Sequence, residues 1–194
     1  MTTRRLVLAS TSPFRRELLA RLGLRFEVAA PDVDESRRAG ESPEALVRRL
    51  SEAKARAVAA RFADALVVGS DQVAVVDDEV LGKPGTRERA IAQLSRAVGR
   101  RVSFLTGLSL VDATSGRSHT LCERFHVHFR PLGPEQIARY VDREQPFDCA
   151  GSFKSEGYGI TLFERLEGDD PSALVGLPLI RLVELLGREG VALP

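Results

Sequence analysis

The sequence predicts an α/β fold built on a mixed sheet. Short apolar strands alternate with amphipathic helices through the first half of the chain. Beyond residue 100 a long antiparallel hairpin replaces that alternation, so the sheet is not purely doubly wound. No internal repeat or low-complexity linker interrupts the 194 residues, a length that fits one ordinary domain or two intimately joined lobes.

Residues 6–9 are apolar and short, as a buried strand is. Residues 15–22 read as a helix with Leu18, Leu19 and Leu22 on one face, ended by Gly23. Ser42-Pro43-Glu44-Ala45 opens a second helix, with a capping hydroxyl followed by a first-turn proline. Leu46, Leu50, Ala53 and Ala57 carry it to about residue 62. Residues 65–69 form another buried strand. Residues 73–76 and 79–81 flank Asp77-Asp78 as a hairpin. Thr86 opens a third helix, apolar at Ala90, Leu94 and Ala97.

Val102, Phe104, Thr106, Leu108 and Leu110 then alternate along a long strand. Residues 112–116 are turn-like, and 119–129 alternate again with Phe125, Val127 and Phe129 on one face. Residues 134–142 form a short helix. Residues 151–157 read as a loop too rich in glycine and polar residues for the core. A last helix carries Leu179, Leu182, Val183 and Leu186.

Composition narrows the function. Hydrophobic residues make up 43% and charged residues 28%, which is globular rather than disordered. The net charge of +1 gives no overall basic field for nucleic acid. No apolar run approaches a membrane span, and the apolar stretch after Arg4-Arg5 is too short for a signal peptide. Cys122 and Cys149 form no CxxC, which makes a disulfide framework or zinc site unexpected and a reducing cytoplasm the default location.

Four segments carry chemistry. In Leu6-Val-Leu-Ala-Ser-Thr-Ser-Pro-Phe-Arg-Arg16 a strand runs into hydroxyls at a helix start, where backbone N–H groups favour anions. Arg15 and Arg16 add forked donors suited to phosphate, or form a solvated face. Pro31-Asp-Val-Asp-Glu35 offers oxygen ligands for a hard divalent cation, or is an ordinary acidic loop. In Gly69-Ser-Asp-Gln72 a carboxylate follows a buried strand, where α/β sheets bind ligands. Asp71 there is a general base, a metal ligand or an Asx turn. Gly82-Lys83-Pro84 fixes a point charge, or is a surface turn. Lys54 sits beside the apolar stripe of the second helix, from whose edge it can snorkel into a cleft. His126 and His128 share a strand face that offers no further ligand and read as structural.

Taken together these segments resemble the Maf-like nucleotide pyrophosphatases. The likeness rests on residues 8–16, 31–35, Lys54, 69–72, 82–84 and Ala150-Gly-Ser-Phe-Lys-Ser-Glu-Gly157, with Leu162-Phe-Glu-Arg-Leu-Glu-Gly168 and Val175-Gly-Leu-Pro178 downstream. It covers nearly the whole chain, so 1–194 reads as a single Maf-like domain. The resemblance implies an elongated α/β structure of the Maf-like and ITPase-like kind, with two lobes around a central cleft. It implies a cytoplasmic, often dimeric hydrolase that cuts a nucleoside triphosphate between the α- and β-phosphates, using a divalent metal such as Mg2+ or Mn2+. By motif, Asp71 matches the proton-accepting aspartate. Glu35, Lys54 and Lys83 match polar positions of the catalytic cleft, with Glu35 and Asp71 as metal ligands. Ser10 and Arg15 match the phosphate-facing loop.

Phe14, Gln72 and Glu156 resemble the branch that hydrolyses 7-methyl-GTP. The thymidine and uridine triphosphate branch has Arg, Thr and Gln at those positions. One departure is Phe14, where the 7-methyl-GTP branch often has Trp. Methylation at N7 leaves the purine cationic, which an aromatic face attracts by about 0.5–2 kcal/mol and an arginine repels. Glu156 can accept the guanine N1–H and exocyclic amine. Two other readings stand beside this one: a pyrophosphatase of other canonical or modified nucleotides, and a nucleotide-binding regulator of cell division.

Overall fold

The computed structural model describes residues 4–193; Met1–Thr3 and Pro194, included in the expected domain and leader-free start, lie outside them. Seven strands form one mixed sheet. In chain order the elements are β1 (Arg5–Ala9), α1 (Pro13–Ala20), β2 (Glu27–Ala29), α2 (Pro43–Ala59), β3 (Ala65–Val76), β4 (Glu79–Leu81) and α3 (Arg87–Ala97). Then come β5 (Arg101–Asp112), β6 (Ser118–Phe129), α4 (Pro134–Glu144), β7 (Phe163–Glu167), α5 (Pro171–Val175) and α6 (Leu179–Arg188). The strand order is β2-β1-β3-β5-β6-β7, with β4 on the far end of β3. β1 is parallel to β2 and β3, and every other pairing is antiparallel.

The helix starts follow the capping chemistry of the sequence. Ser12, Ser42 and Thr86 each cap a helix by accepting a backbone N–H, from Arg15, Ala45 and Arg89. Asp77 and Asp78 both adopt positive φ, 46° and 65°, as the tight β3–β4 hairpin requires. Several boundaries differ from expectation. α1 begins at Pro13 because Ser12, not a later residue, is the cap. α2 ends at Ala59 in a turn closed by Arg61 N–H to Val58 O. β2, β7 and α5 are too short, or too exposed, to leave a periodic signal.

The larger correction concerns β3. The turn-like Gly69-Ser-Asp-Gln72 is not a loop. β5 pairs with β3 without a break from Leu66↔Asp112 to Val75↔Ser103 and draws this polar stretch into one continuous strand.

One face of the sheet carries two apolar clusters. Leu66, Val68, Leu108 and Leu110 pack with Leu18 and Leu19 of α1 and Leu182, Leu185 and Leu186 of α6. Further along the same strands, Ala74, Val76, Phe104 and Val102 pack with α3, α4 and an aromatic cluster. That cluster includes Phe153, 4.7 Å from Phe163 and 5.2 Å from Phe104 between ring centroids. Gly151, Ser152 and Phe153 are therefore buried, although the 151–157 segment reads as a surface loop. Between the two clusters the same face presents Ser70, Gln72 and Thr106. This polar waist divides the molecule into two lobes.

The other face is covered by α2, which lies unusually close. A Cβ on Gly107 would sit 2.1 Å from Val47 O, and one on Gly69 would sit 2.2 Å from Ser51 O. Only glycine lets the helix backbone rest on β3 and β5. The buried face of α2 therefore runs through Leu46, Val47, Leu50, Ser51, Lys54, Ala55 and Val58. The expected stripe through Ala53 and Ala57 is rotated to the half-buried flank.

At the opposite end of the sheet, Arg4 and the turn hydroxyls of Ser115 bind Asp112, and Thr114 N–H donates to it at 3.0 Å. The Arg4 hydrogen bond is the main reason its carboxyl is held down at about 2.

Gly107→Ala is expected to cost at least about 1–3 kcal/mol in urea unfolding, because α2 must lift from the sheet. Asp112→Asn tests the turn. A depressed carboxylate stabilises the fold above its ordinary pKa, and that contribution fades as pH falls towards about 2. The variant's deficit in urea midpoint, near neutral pH, is expected to shrink as the two proteins are compared at progressively lower pH.

Candidate active site

The cleft opens where β1 stops. β1 pairs with β3 only as far as Gly69, and β4 takes up the same edge only at Ala74. Ser70, Asp71, Gln72 and Val73 are left without a strand neighbour on that side while β5 holds them on the other. Alternation turns Asp71 towards α2 and turns Ser70 and Gln72 to the opposite face. A cleft of about 850 Å³ fills the gap, and Ser10, Phe14, Arg15, Glu35, Lys54, Asp71, Gln72, Lys83 and Glu156 all line it. The nine residues that the family resemblance assigns to the site thus line one cavity, whereas Arg16, Asp32 and Asp34, also singled out from sequence, do not.

Lys54 forms part of the cleft wall. It is only 5% exposed and projects from the middle of the α2 buried face, not from the helix edge expected from sequence. Its Nζ donates to Asp71 Oδ1 at 2.6 Å and lies 2.9 Å from Glu35 Oε1. Asp71 is buried, whereas the Glu35 side chain is 61% exposed and reaches in from the acidic loop. Asp34 in that loop is occupied locally, accepting the Ser36 N–H and hydroxyl, each at 2.9 Å. Asp71 Oδ2 accepts no hydrogen bond from a described residue. Among the described residues no buried side-chain oxygen or nitrogen lacks a partner, so this oxygen faces the open cleft.

The loop between β1 and α1 is built around Ser10 and Ser12. Ser10 Oγ accepts the Ser12 N–H at 3.1 Å, and Ser12 Oγ caps α1. One turn in, Arg15 Nε donates to Gly176 O at 2.9 Å, which leaves its terminal N–H groups for a ligand. Burial pushes the Arg15 pKa down, and the negative charges of Asp71 and Glu35 oppose that push. Lys83, exposed on the turn after β4, also lines the cleft.

Phe14 and Glu156 line both the cleft and an adjoining recess of about 220 Å³, with Glu17, Arg21 and Lys154. Gln72 is committed elsewhere. Its Nε2 donates to Ala173 O at 2.7 Å, Leu174 O at 3.1 Å and Thr106 Oγ1 at 3.0 Å. Only its amide oxygen remains for a ligand.

Sequence reasoning missed the group that fixes α5. Ser70 Oγ donates within 2.9 Å to Gly107 O and Gly176 O, and Thr106 Oγ1 donates to Ala173 O at 2.9 Å. With Gln72 and Arg15 these side chains satisfy the carbonyls at the end of a short helix that closes the waist. A signal existed: Thr106 interrupts an apolar strand face and is fully buried.

Among the described residues no group of three or more His, Cys, Asp or Glu side chains is arranged to hold a metal. Mg2+ needs no such cage, since one or two carboxylates together with substrate phosphates suffice. The open oxygen of Asp71 and the exposed Glu35 fit that chemistry.

Lys54→Met is expected to destabilise the fold by about 3–5 kcal/mol, because it leaves the buried Asp71 carboxylate without its ammonium partner. Urea unfolding of Lys54→Met beside a Lys54→Met/Asp71→Asn pair checks this, and the second change is expected to recover part of the loss.

A family model described as Maf-like protein matches residues 5–189. A protein of Alcanivorax borkumensis named 7-methyl-GTP pyrophosphatase is 61% identical over 189 residues, 97% of this chain and 96% of its own length. A protein of Pseudomonas aeruginosa with the same name is 60% identical, over 97% of this chain and 98% of its own length. The solved structure of the Staphylococcus aureus Ham1 protein aligns at 17% identity with a TM-score of 0.49, over 66% of this chain and 73% of that one. By the extent of the family match and the full-length identity of these relatives, the chain belongs to the Maf-like protein family.

Proposed function

We propose that this protein is a 7-methyl-GTP pyrophosphatase, which releases 7-methyl-GMP and pyrophosphate. The observation that carries the reading is one cleft with two chemically different ends. The buried Lys54–Asp71 pair lies at one end, and Phe14 with Glu156 lies at the other. The names of relatives that share about 60% identity over nearly the full chain support the same substrate.

Water attacks the α-phosphorus in line with the α–β bridging oxygen. Its proton passes to Asp71 Oδ2, the oxygen–phosphorus bond forms, and the bond to the bridging oxygen breaks as pyrophosphate leaves. Lys54 fixes the Asp71 carboxylate by its hydrogen bond to Oδ1 and leaves Oδ2 as the acceptor. Arg15 and Lys83 bind the phosphate oxygens and offset charge as it moves to the leaving group.

The cleft's own charge is balanced, with Arg15, Lys54, Lys83 and Lys154 against Glu35, Asp71, Asp148 and Glu156. A triphosphate therefore needs further positive charge. A divalent cation held by Glu35 together with the phosphates would supply it, with the open oxygen of Asp71 as a ligand only where it is not the proton acceptor. Phe14 stacks on the cationic purine and Glu156 accepts its N1–H and amine. No helix among the described residues is long and apolar enough to cross a membrane. Cys122 and Cys149 are both free thiols, which is consistent with the reducing cytoplasm we assign.

Pyrophosphate release from 7-methyl-GTP, GTP, dTTP and UTP, each with Mg2+ and with Mn2+, tests the assignment. The methylated nucleotide is expected to be preferred, and equal rates on GTP would overturn the base assignment. Phe14→Arg is expected to lower the 7-methyl-GTP to GTP ratio by about 2- to 30-fold, the range that a lost cation–π contact allows. Asp71→Asn is expected to abolish turnover. Unchanged metal affinity in that variant would assign Asp71 as base rather than ligand.

A further inference from the structure

Lys154 lines both the cleft and the recess together with Phe14 and Glu156. A mobile ammonium in that position would repel a cationic base. The structure ties it down. Lys154 Nζ donates to the backbone carbonyl of Glu144 at 2.9 Å and lies 3.7 Å from that residue's Oε1. Glu144 is the last residue of α4, and the carbonyl end of a helix itself attracts cations.

The same carboxylate also fastens the far side of the loop. Glu144 Oε2 accepts the Tyr158 N–H at 3.0 Å, while the Lys154 N–H donates to the Tyr140 hydroxyl at 3.1 Å. The Tyr140 and Tyr158 rings stack, and the Arg143 guanidinium lies 3.9 Å over Tyr158. Glu144 thus holds both flanks of Glu156 without lining the cleft itself. The phosphate chemistry makes no use of it.

We propose that Glu144 is a positioning residue for base selection: its carboxylate and the α4 terminal carbonyl hold the Lys154 ammonium away from the base and keep the recess open to a positively charged purine. The proposal rests on the reading of Phe14 and Glu156 above.

Steady-state kinetics on 7-methyl-GTP and GTP, for wild type, Glu144→Gln, Lys154→Met and the double variant, test it. A glutamine oxygen still accepts the Tyr158 N–H, so Glu144→Gln removes the charge while the loop stays fastened. Its ratio of kcat/KM for 7-methyl-GTP over GTP is expected to fall about fivefold, the factor that unit charges about 4 Å apart produce in water. The loss is expected as a rise in KM for the methylated nucleotide, with kcat on GTP unchanged. Lys154→Met is expected to hold or raise the ratio, and the double variant to restore it. An unchanged ratio in Glu144→Gln, or an equal loss in the single and double variants, would overturn the proposal. A wild-type enzyme without preference for 7-methyl-GTP would overturn the base reading first, and this proposal with it.

Discussion

The close approach of α2 to the sheet is the constraint on which the site depends. Two glycines on adjacent strands, Gly69 and Gly107, remove the side chains that would keep a helix at ordinary packing distance. Val47 and Ser51 then rest on bare backbone. Lys54, one turn further along, reaches Asp71 at 2.6 Å. The buried pair is held by the packing of a seventeen-residue helix, not by a flexible loop. That matters for chemistry, because a proton acceptor works only if its open oxygen keeps a fixed direction.

The cleft itself follows from a mismatch in strand lengths. β3, β5 and β6 are each twelve residues long, whereas β1 spans five and β4 three. The short neighbours cover the two ends of β3 and leave its middle edge open. Apolar clusters fill both ends of one sheet face, and the polar waist between them is closed by α5. The carbonyls of α5 are satisfied by Ser70, Gln72, Thr106 and Arg15. Arg15 braces Gly176, and under the proposed function it is also a phosphate donor. This couples the C-terminal segment to the opening loop.

The two ends of the cleft differ in how firmly they are built. Asp71 belongs to a central strand. Glu156 belongs to a surface loop anchored by the buried Phe153 on one side and by Glu144 and Tyr140 on the other. Under the proposed function, reaction chemistry common to nucleotides sits on the rigid sheet and discrimination between bases on the loop, so base preference can change without disturbing the phosphate end.

Much of this was legible in the sequence, for physical reasons. Ser12, Ser42 and Thr86 start helices because capping is local, and the apolar alternation of residues 102–110 and 119–129 reports a sheet face because the period of a strand is fixed. The phosphate loop, Lys83, Glu35, Asp71 and the pair Phe14 and Glu156 were visible as residue types in turn-like settings. Only the tertiary structure decided three matters. It drew Gly69-Ser-Asp-Gln72 into a strand, because β5 supplies partners that no local propensity reveals. It rotated the buried face of α2 onto Lys54, because the contact is made by glycines distant in the chain. And it committed the Gln72 amide nitrogen to α5, because a short helix leaves carbonyls that must be satisfied wherever the fold brings them.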